Sequence, residues 1–286
     1  MALIHLDFES QYCNYNQDVY VILPDRPRSV DAKDFYAPGK KYKVLWLLHG
    51  TYGGYSDWIR KSNIETYACE NDLAVIMPGV GNSDYDAWDA FTNGYDSCRY
   101  IIEELMPLAY SWFPISSNRE DNFIAGLSMG GRGTIQFATN FPEKFAAAAV
   151  LSSAPTELDA QKDELKALFA MKRSEVMASD QRQLRTYNQM HRYDSVDEYL
   201  DSMSNTWRRF FAADREKLPR LFFSIGTEDR GYQNWLKFRA KAEAEGYDIE
   251  WHTGPGVHEW RVWERDIQKA IKFFGLGGDE AKGNAY

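Results

Sequence analysis

The sequence predicts an α/β fold whose mainly parallel, doubly wound sheet carries a helical cap insertion. Two observations lead to this prediction. Short apolar runs alternate with stretches of helical periodicity, which is the signature of βαβ units. Several of these runs are apolar at nearly every position, as expected for strands covered on both faces. With 286 residues the chain can bury one large core, so we expect residues 1–286 to form a single domain.

Seven apolar runs are the candidate strands of the sheet. Regular alternation of such runs with helical sequence favours parallel pairing, because parallel strands need a crossover connection between them. In chain order the candidates are Asp18–Leu23, Val44–Leu48, Leu73–Met77, Asn122–Ala125, Ala146–Leu151, Arg220–Ile225 and Ile249–Thr253.

Three stretches between or after these strands have helical periodicity. In the first, apolar residues recur every three or four positions and predict one long amphipathic helix. A second helix is expected from Asn234 to Glu245, ended by Gly246, and a third from Glu259 to Phe274. The remaining tail, residues 275–286, is expected to be disordered. The residues of the first helix are Tyr95, Cys98, Ile102, Leu105, Ala109 and Trp112.

One long segment interrupts the alternation. Residues 157–218, the cap segment below, contain no convincing strand, only helical and charged sequence. Ser195 followed by Glu198 has the spacing of a capping box and predicts that a helix begins there. In a doubly wound sheet, ligands bind at the carboxyl ends of the strands. We therefore expect the cap segment to lie above a pocket at that edge.

Charge and composition exclude several classes of function. The formal net charge is −9, whereas nucleic-acid binding requires a basic surface. No run approaches the roughly 18 apolar residues of a membrane-spanning helix, and the first residues lack the features of a signal peptide. The chain is therefore expected to act in the cytoplasm, without nucleic acid or membrane as partners. A homo-oligomer is left open.

No cofactor or metal is expected. The three cysteines are widely spaced without a CxxC pair, which favours reduced thiols. Neither an H-E-x-x-H motif nor a Cys/His cluster points to a catalytic metal. A G-x-G-x-x-G opening a βαβ unit and a Walker A lysine are also missing from the sequence. The acidic loop with Asp84, Asp86 and Asp89 is interpreted as solvated, with a calcium site as the alternative.

Residues 126–130, GLSMG, fit the G-x-S-x-G pattern of a nucleophilic serine. They follow a short apolar strand and precede the helical sequence GGRGTIQFATNF, which is the context that the motif requires in the α/β-hydrolase fold. The small residues let the backbone bend sharply at Ser128 and keep its hydroxyl open to substrate. Ser128 is therefore the predicted nucleophile.

A nucleophilic serine needs a base that is oriented by a carboxylate, and in this fold the chain order is Ser, acid, His. Of the histidines after Ser128, His191 lies in the cap segment and His252 within a predicted strand. His258 follows that strand at the carboxyl edge of the sheet and is the predicted base. Glu228 and Asp229 both follow the preceding strand; Asp229 is favoured as the acid.

The oxyanion of an acyl-transfer intermediate needs two N–H donors. One is expected to be the backbone amide of Met129, after the nucleophile. The other is expected in the loop HGTYGG after the strand ending at Leu48, where the amide of Thr51 fits best. Tyr52, Trp207 and Trp260 are candidates to line the pocket, with ordinary packing roles as the alternative for each.

The motifs HGTYGG, GLSMGG, IGTEDRGY and GVHEWRVW, in this order and spacing, resemble those of the putative-esterase group of the α/β-hydrolases. This group includes tributyrin esterases, cinnamoyl or feruloyl esterases, S-formylglutathione hydrolases and mycolyltransferases. The resemblance covers residues 15–275 apart from the cap segment. It implies the same triad, Ser128, Asp229 and His258, and the same oxyanion amides, Thr51 and Met129.

The resemblance implies a serine carboxylic-ester hydrolase acting on small esters. Short-chain acyl or hydroxycinnamoyl (feruloyl) esters, such as those of plant polysaccharide fragments, are the expected substrates. Leu127 stands where S-formylglutathione hydrolases usually have histidine, which weighs against glutathione thioesters. A thioesterase or an acyltransferase remains the alternative, and a non-catalytic binding protein that kept the fold is a further one.

Overall fold

The computed structural model describes residues 2–88, 95–176 and 181–276, and an eight-stranded sheet runs through its centre. Residues 277–286 of the expected tail and Asp89 lie outside the described residues. The strands of the sheet are β1 Ala2–Ser10, β2 Tyr15–Leu23, β3 Lys43–Leu48, β4 Leu73–Pro78, β7 Asn122–Leu127, β8 Ala147–Leu151, β9 Arg220–Gly226 and β10 Ile249–Gly254; β5 Ala87–Trp88 and β6 Tyr95–Asp96 form a separate pair.

The strand order is β1-β2-β4-β3-β7-β8-β9-β10. Strand β2 pairs antiparallel with both of its neighbours, and every other pairing in the sheet is parallel. The order reverses between β3 and β4, so crossovers run to both sides. The predicted mainly parallel, doubly wound sheet is confirmed.

The alternation of side chains along the strands divides the core into two layers. In β3, Val44 and Trp46 belong to the apolar cluster on one face, and Leu45 and Leu47 belong to the cluster on the other. All four are fully buried. This is why these strands are apolar at almost every position, since both faces are covered by helices.

Twelve α-helical segments lie in the described residues. They are α1 Ala32–Phe35, α2 Asp57–Lys61, α3 Ile64–Glu70, α4 Ser97–Arg99, α5 Met106–Trp112, α6 Met129–Asn140, α7 Lys162–Phe169, α8 Gln181–Met190, α9 Val196–Asp201, α10 Thr206–Ala212, α11 Tyr232–Ala244 and α12 Trp260–Phe273. None of them is both long enough and apolar enough to cross a bilayer.

Strand β1 and the long helix are two places where the structure differs from the sequence prediction, and Tyr95, predicted on that helix, lies in β6. Strand β1 has no predicted counterpart, although Ile4, Leu6 and Phe8 alternate with exposed polar residues as in a half-covered edge strand. The long helix is interrupted by the π-helical turn Tyr100–Leu105 between α4 and α5. Beyond this turn Ala109 remains buried, whereas Trp112, also predicted to be on the buried face, is exposed.

The cap segment connects β8 to β9 through helices α7 to α10. Six of its residues form an apolar cluster separate from the two layers of the main core: Leu158, Leu165, Met190, Val196, Tyr199 and Leu200. Ser195 caps the N-terminus of helix α9, and its side chain accepts a hydrogen bond from the Glu198 amide.

The buried Asn122 links strand β3 and helix α5 to the start of β7, the strand that leads to Ser128. Asn122, at 0% exposure, accepts hydrogen bonds from the Trp46 indole at 3.0 Å and from the Tyr110 hydroxyl at 2.8 Å. Its amide nitrogen donates to the carbonyls of Ser116 and Asn118. All four hydrogen-bonding positions of the amide are thereby used.

Replacing Asn122→Leu is expected to lower the free energy of unfolding by about 3 kcal/mol, because the buried Trp46 indole and the partly buried Tyr110 hydroxyl lose their acceptor. Tyr110→Phe, which leaves the Trp46 bond in place, should cost only about 1 kcal/mol. Urea unfolding of the two variants and the wild type measures both effects. Equal losses in the two variants would contradict a network centred on Asn122.

Candidate active site

Ser128 occupies a strained turn between β7 and α6. Its backbone has φ 53° and ψ −114°, a conformation that a non-glycine residue rarely adopts. Its amide donates to the Leu151 carbonyl at 2.9 Å, which ties the turn to the end of β8. A Cβ atom at Gly130 would lie 2.6 Å from the Leu48 carbonyl oxygen, so only glycine allows α6 to start this close to β3.

The three residues predicted from the sequence come together at this turn. His258 Nε2 lies 2.8 Å from the Ser128 hydroxyl oxygen, and His258 Nδ1 lies 2.7 Å from Asp229 Oδ2. Asp229 follows β9 and His258 follows β10, and these two strands are parallel neighbours. The indole of Trp263 packs edge-on against the imidazole of His258, with 5.1 Å between the ring centroids.

Asp229 is held as a charged acceptor. Burial alone would raise the pKa of its carboxyl group, but the hydrogen bonds from His258 and from the Gly231 amide outweigh burial and leave the pKa below its ordinary value. The Gly231 amide donates to Oδ1 at 2.8 Å, while Oδ2 faces His258. The carboxylate thus fixes the proton of the imidazole on Nδ1, which leaves Nε2 to accept the serine proton.

Glu228, the rival acid in the sequence, has a different place. Its carboxylate accepts a hydrogen bond from the Gly256 amide at 2.5 Å, and its own amide donates to the Gly256 carbonyl at 3.2 Å. The bond from the Gly256 amide lowers the pKa of Glu228. Gly256 has φ +133°, in the range that favours glycine. Glu228 therefore clamps the acid loop to the loop that carries His258.

The loop after β3 is braced by His49. The Val80 amide donates to His49 Nε2 at 3.1 Å, so the ring proton is on Nδ1, which donates to the Gly50 carbonyl at 2.8 Å. Burial lowers the pKa of His49, which keeps the ring neutral. This brace supports Thr51, which lines a cavity beside Ser128. Met129, the other predicted oxyanion donor, is the buried first residue of α6.

A cavity of about 690 Å³ opens at Ser128 and His258. Two of the three pocket candidates line it, Tyr52 and Trp260. Trp207 does not; it is buried in the core, where it packs against Phe211 with 5.1 Å between ring centroids. The remaining lining residues are Gly50, Thr51, Asp57, Lys61, Leu127, Arg185, Arg230, Glu259 and Trp263.

The charged residues of this lining were missed by sequence reasoning. Lys61, Arg185 and Arg230 come from three separate segments, and a single basic residue in such a segment carries no sequence signal for a binding site. The place of Trp263 could have been predicted from the sequence. It follows His258 by five residues and lies on the apolar face that the periodicity of α12 indicates.

The interpretation of the acidic loop as solvated is wrong for two of its residues. Asp84 and Asp86 are 8% and 4% exposed. Asp84 pairs with Arg185, and Asp86 pairs with Arg192 and accepts a hydrogen bond from Ser204. Both carboxylates thus bind the cap segment. No cluster of metal-binding side chains occurs in the residues that the structure describes.

Comparison with known proteins places this geometry in a family. Residues 10–274 match the model of the family described as putative esterase. The chain belongs to this family. The esterase is 27% identical over 289 residues to an acetyl esterase of Caldicellulosiruptor saccharolyticus, with 98% of this chain and 100% of the relative covered.

Two solved structures from Staphylococcus aureus are similar to this esterase over nearly its whole length. An S-formylglutathione hydrolase is 30% identical with a TM-score of 0.75, covering 96% of this chain and 98% of that one. The fluorophosphonate-binding serine hydrolase F is 31% identical with a TM-score of 0.77, covering 96% and 99%. The resemblance derived from the motifs is confirmed: the chain is a serine esterase of the α/β-hydrolase fold.

Glu228→Ala is expected to lower kcat for ester hydrolysis about tenfold, because losing the clamp on Gly256 lets the His258 loop shift from its bonding geometry. Glu228→Gln keeps an acceptor oxygen and should retain most of the activity. Steady-state rates of both variants on one neutral ester measure the effect. A Glu228→Ala enzyme with wild-type kcat would show that the clamp does not position His258.

The lowered pKa of Asp229 gives a stability that depends on pH. The folded state favours the ionised carboxyl, so this contribution is complete above about pH 4 and is lost as the pH falls through the lowered pKa. Asp229→Asn lacks the contribution. Urea unfolding should show a stability gap between wild type and variant at pH 7 that closes below about pH 4. A gap that widens on acidification would contradict this sign.

Proposed function

We propose that this esterase hydrolyses small carboxylic esters by a two-step acyl-enzyme mechanism with Ser128 as nucleophile. The observation that carries the proposal is the unbroken hydrogen-bond chain from Ser128 through His258 to Asp229 at a cavity. Short-chain acyl and hydroxycinnamoyl esters are the proposed substrates, including those of plant polysaccharide fragments. The aromatic side chains of Tyr52 and Trp260 offer apolar surface for such acyl groups.

In the first step Ser128 Oγ attacks the ester carbonyl carbon while His258 Nε2 takes the hydroxyl proton. The carbonyl oxygen becomes an oxyanion, which accepts hydrogen bonds from the Thr51 and Met129 amides. Asp229 stabilises the imidazolium. When the intermediate collapses, the bond to the alcohol oxygen breaks and His258 delivers its proton to that leaving oxygen.

In the second step water repeats the sequence. His258, neutral again, removes a proton from a water molecule that attacks the acyl-enzyme carbonyl. The second tetrahedral intermediate uses the same two amides. Its collapse releases the carboxylic acid and returns the proton to Ser128 Oγ, which restores the resting hydrogen-bond chain.

A thioesterase is the second candidate, because one of the similar structures is named an S-formylglutathione hydrolase. Both reactions use the same triad and oxyanion donors and differ only in the leaving atom. The ratio of kcat/KM for a thioester and an oxygen ester with the same acyl group distinguishes them. An acyltransferase would instead form a new ester when an alcohol competes with water.

We also propose that the enzyme acts in the cytoplasm on small-molecule esters. Cys13, Cys69 and Cys98 are buried free thiols. Burial raises the pKa of Cys13 to about 12, so its thiol remains protonated at neutral pH. Free thiols are the rule in proteins of reducing compartments.

Ser128→Ala is expected to abolish turnover of p-nitrophenyl acetate, butyrate and octanoate and of methyl ferulate, with a loss of about 10⁶ in kcat. A fluorophosphonate probe should label the wild type at Ser128 and leave the variant unlabelled. Faster turnover of ferulate than of the p-nitrophenyl esters would favour hydroxycinnamoyl substrates. Hydrolysis that survives in Ser128→Ala would contradict the proposed nucleophile.

A further inference from the structure

The cavity at Ser128 reverses the charge balance of the protein. The whole chain has 33 basic and 42 acidic residues. Among the residues that line the cavity, three are basic and two are acidic: Lys61, Arg185, Arg230, Asp57 and Glu259. A cavity with more basic than acidic residues in an otherwise acidic protein attracts anions to the nucleophile.

One cation of the lining is already neutralised. Lys61 Nζ lies 3.2 Å from Asp57 Oδ1, one helical turn away in α2. The ammonium also lies over the Trp260 ring, 5.2 Å from its centroid. With this pair set aside, the charged residues that remain in the lining are two arginines and one carboxylate, that of Glu259.

Arg185 lies on helix α8 of the cap segment, and its guanidinium forms an ion pair with Asp84. Its Nη1 lies 3.4 Å from Asp84 Oδ1, and Gln189 of the same helix donates to Asp84 Oδ2 at 3.3 Å. The guanidinium has five N–H donors, and this contact engages one of them. Asp84 thus anchors the side chain while further donors remain for a ligand in the cavity.

Arg230 follows Asp229 directly and is exposed at the cavity. Among the residues that the structure describes, its guanidinium has no hydrogen bond or ion pair. A guanidinium is suited to binding a carboxylate because its paired N–H groups match the two carboxylate oxygens.

We propose that the substrate of this esterase carries a carboxylate, which Arg185 and Arg230 bind while the ester lies at Ser128. This inference rests on the proposed function and narrows its substrate class to acidic esters. The apolar body of such a substrate packs against Trp260 and Trp263, and Glu259 disfavours a second negative charge. The carboxylate can belong to the acyl group or to the alcohol, and the experiment separates these two cases.

The test compares charged and neutral esters of matched shape. For the acyl side, p-nitrophenyl hydrogen adipate is compared with p-nitrophenyl methyl adipate. The adipate chain is long enough to hinder attack by the free carboxylate of the hydrogen adipate on its own ester. For the alcohol side, 4-acetoxybenzoate is compared with methyl 4-acetoxybenzoate. In at least one pair, wild-type kcat/KM should be about tenfold higher for the charged member. This factor corresponds to the free energy of one hydrogen bond to a charged group.

The variants Arg185→Gln and Arg230→Gln should each reduce this charged-to-neutral ratio several-fold. Arg261→Gln is the matched control, because Arg261 is an exposed arginine next to the lining residues Glu259 and Trp260 in sequence and does not itself line the cavity. It should leave the ratio unchanged. The preference in the wild type should also decline as salt is raised.

The outcomes separate the two proposals. A ratio near one in both pairs, with both neutral esters hydrolysed and Ser128→Ala inactive, overturns the carboxylate site and leaves the esterase mechanism intact. A preference that Arg261→Gln abolishes as strongly as Arg230→Gln also overturns it, because the general field of the protein then explains the effect. If the wild type hydrolyses none of the four esters, the proposed function itself is overturned.

Discussion

The strained backbone at Ser128 is the constraint on which the rest of the site depends. A positive φ at a non-glycine residue costs about 1–3 kcal/mol and persists only where the surrounding structure enforces it. Here the enforcement comes from the amide bond to Leu151 and from the close approach of Gly130 to Leu48. The nucleophile is consequently fixed at the carboxyl edge of the sheet, and every other functional group has to reach it there.

Neighbouring parallel strands bring the acid and the base to that edge. Strands β9 and β10 are paired in register up to Gly226 and Gly254, so the loops that follow them begin side by side. The clamp between Glu228 and Gly256 then keeps the two loops together. The carboxylate of Glu228, which has no evident role in the sequence, thereby helps to position His258.

The cap segment adds electrostatics to this geometry. Its contacts with the body include two ion pairs with buried carboxylates, Asp84 with Arg185 and Asp86 with Arg192. Such pairs contribute little net stability, because desolvation offsets much of the attraction. Their consequence here is positional: they orient an arginine of the cap toward the cavity, where the substrate meets both apolar and charged walls.

The sequence by itself determined the fold class, seven of the eight strands of the main sheet, and the family, because strand periodicity and the Ser128 turn are local properties of the chain. The π-helical turn and the place of Trp207 depended on packing against distant residues. The cavity cations were decided only by tertiary structure: Lys61, Arg185 and Arg230 lie far apart in sequence, and folding alone brings their charges to one nucleophile.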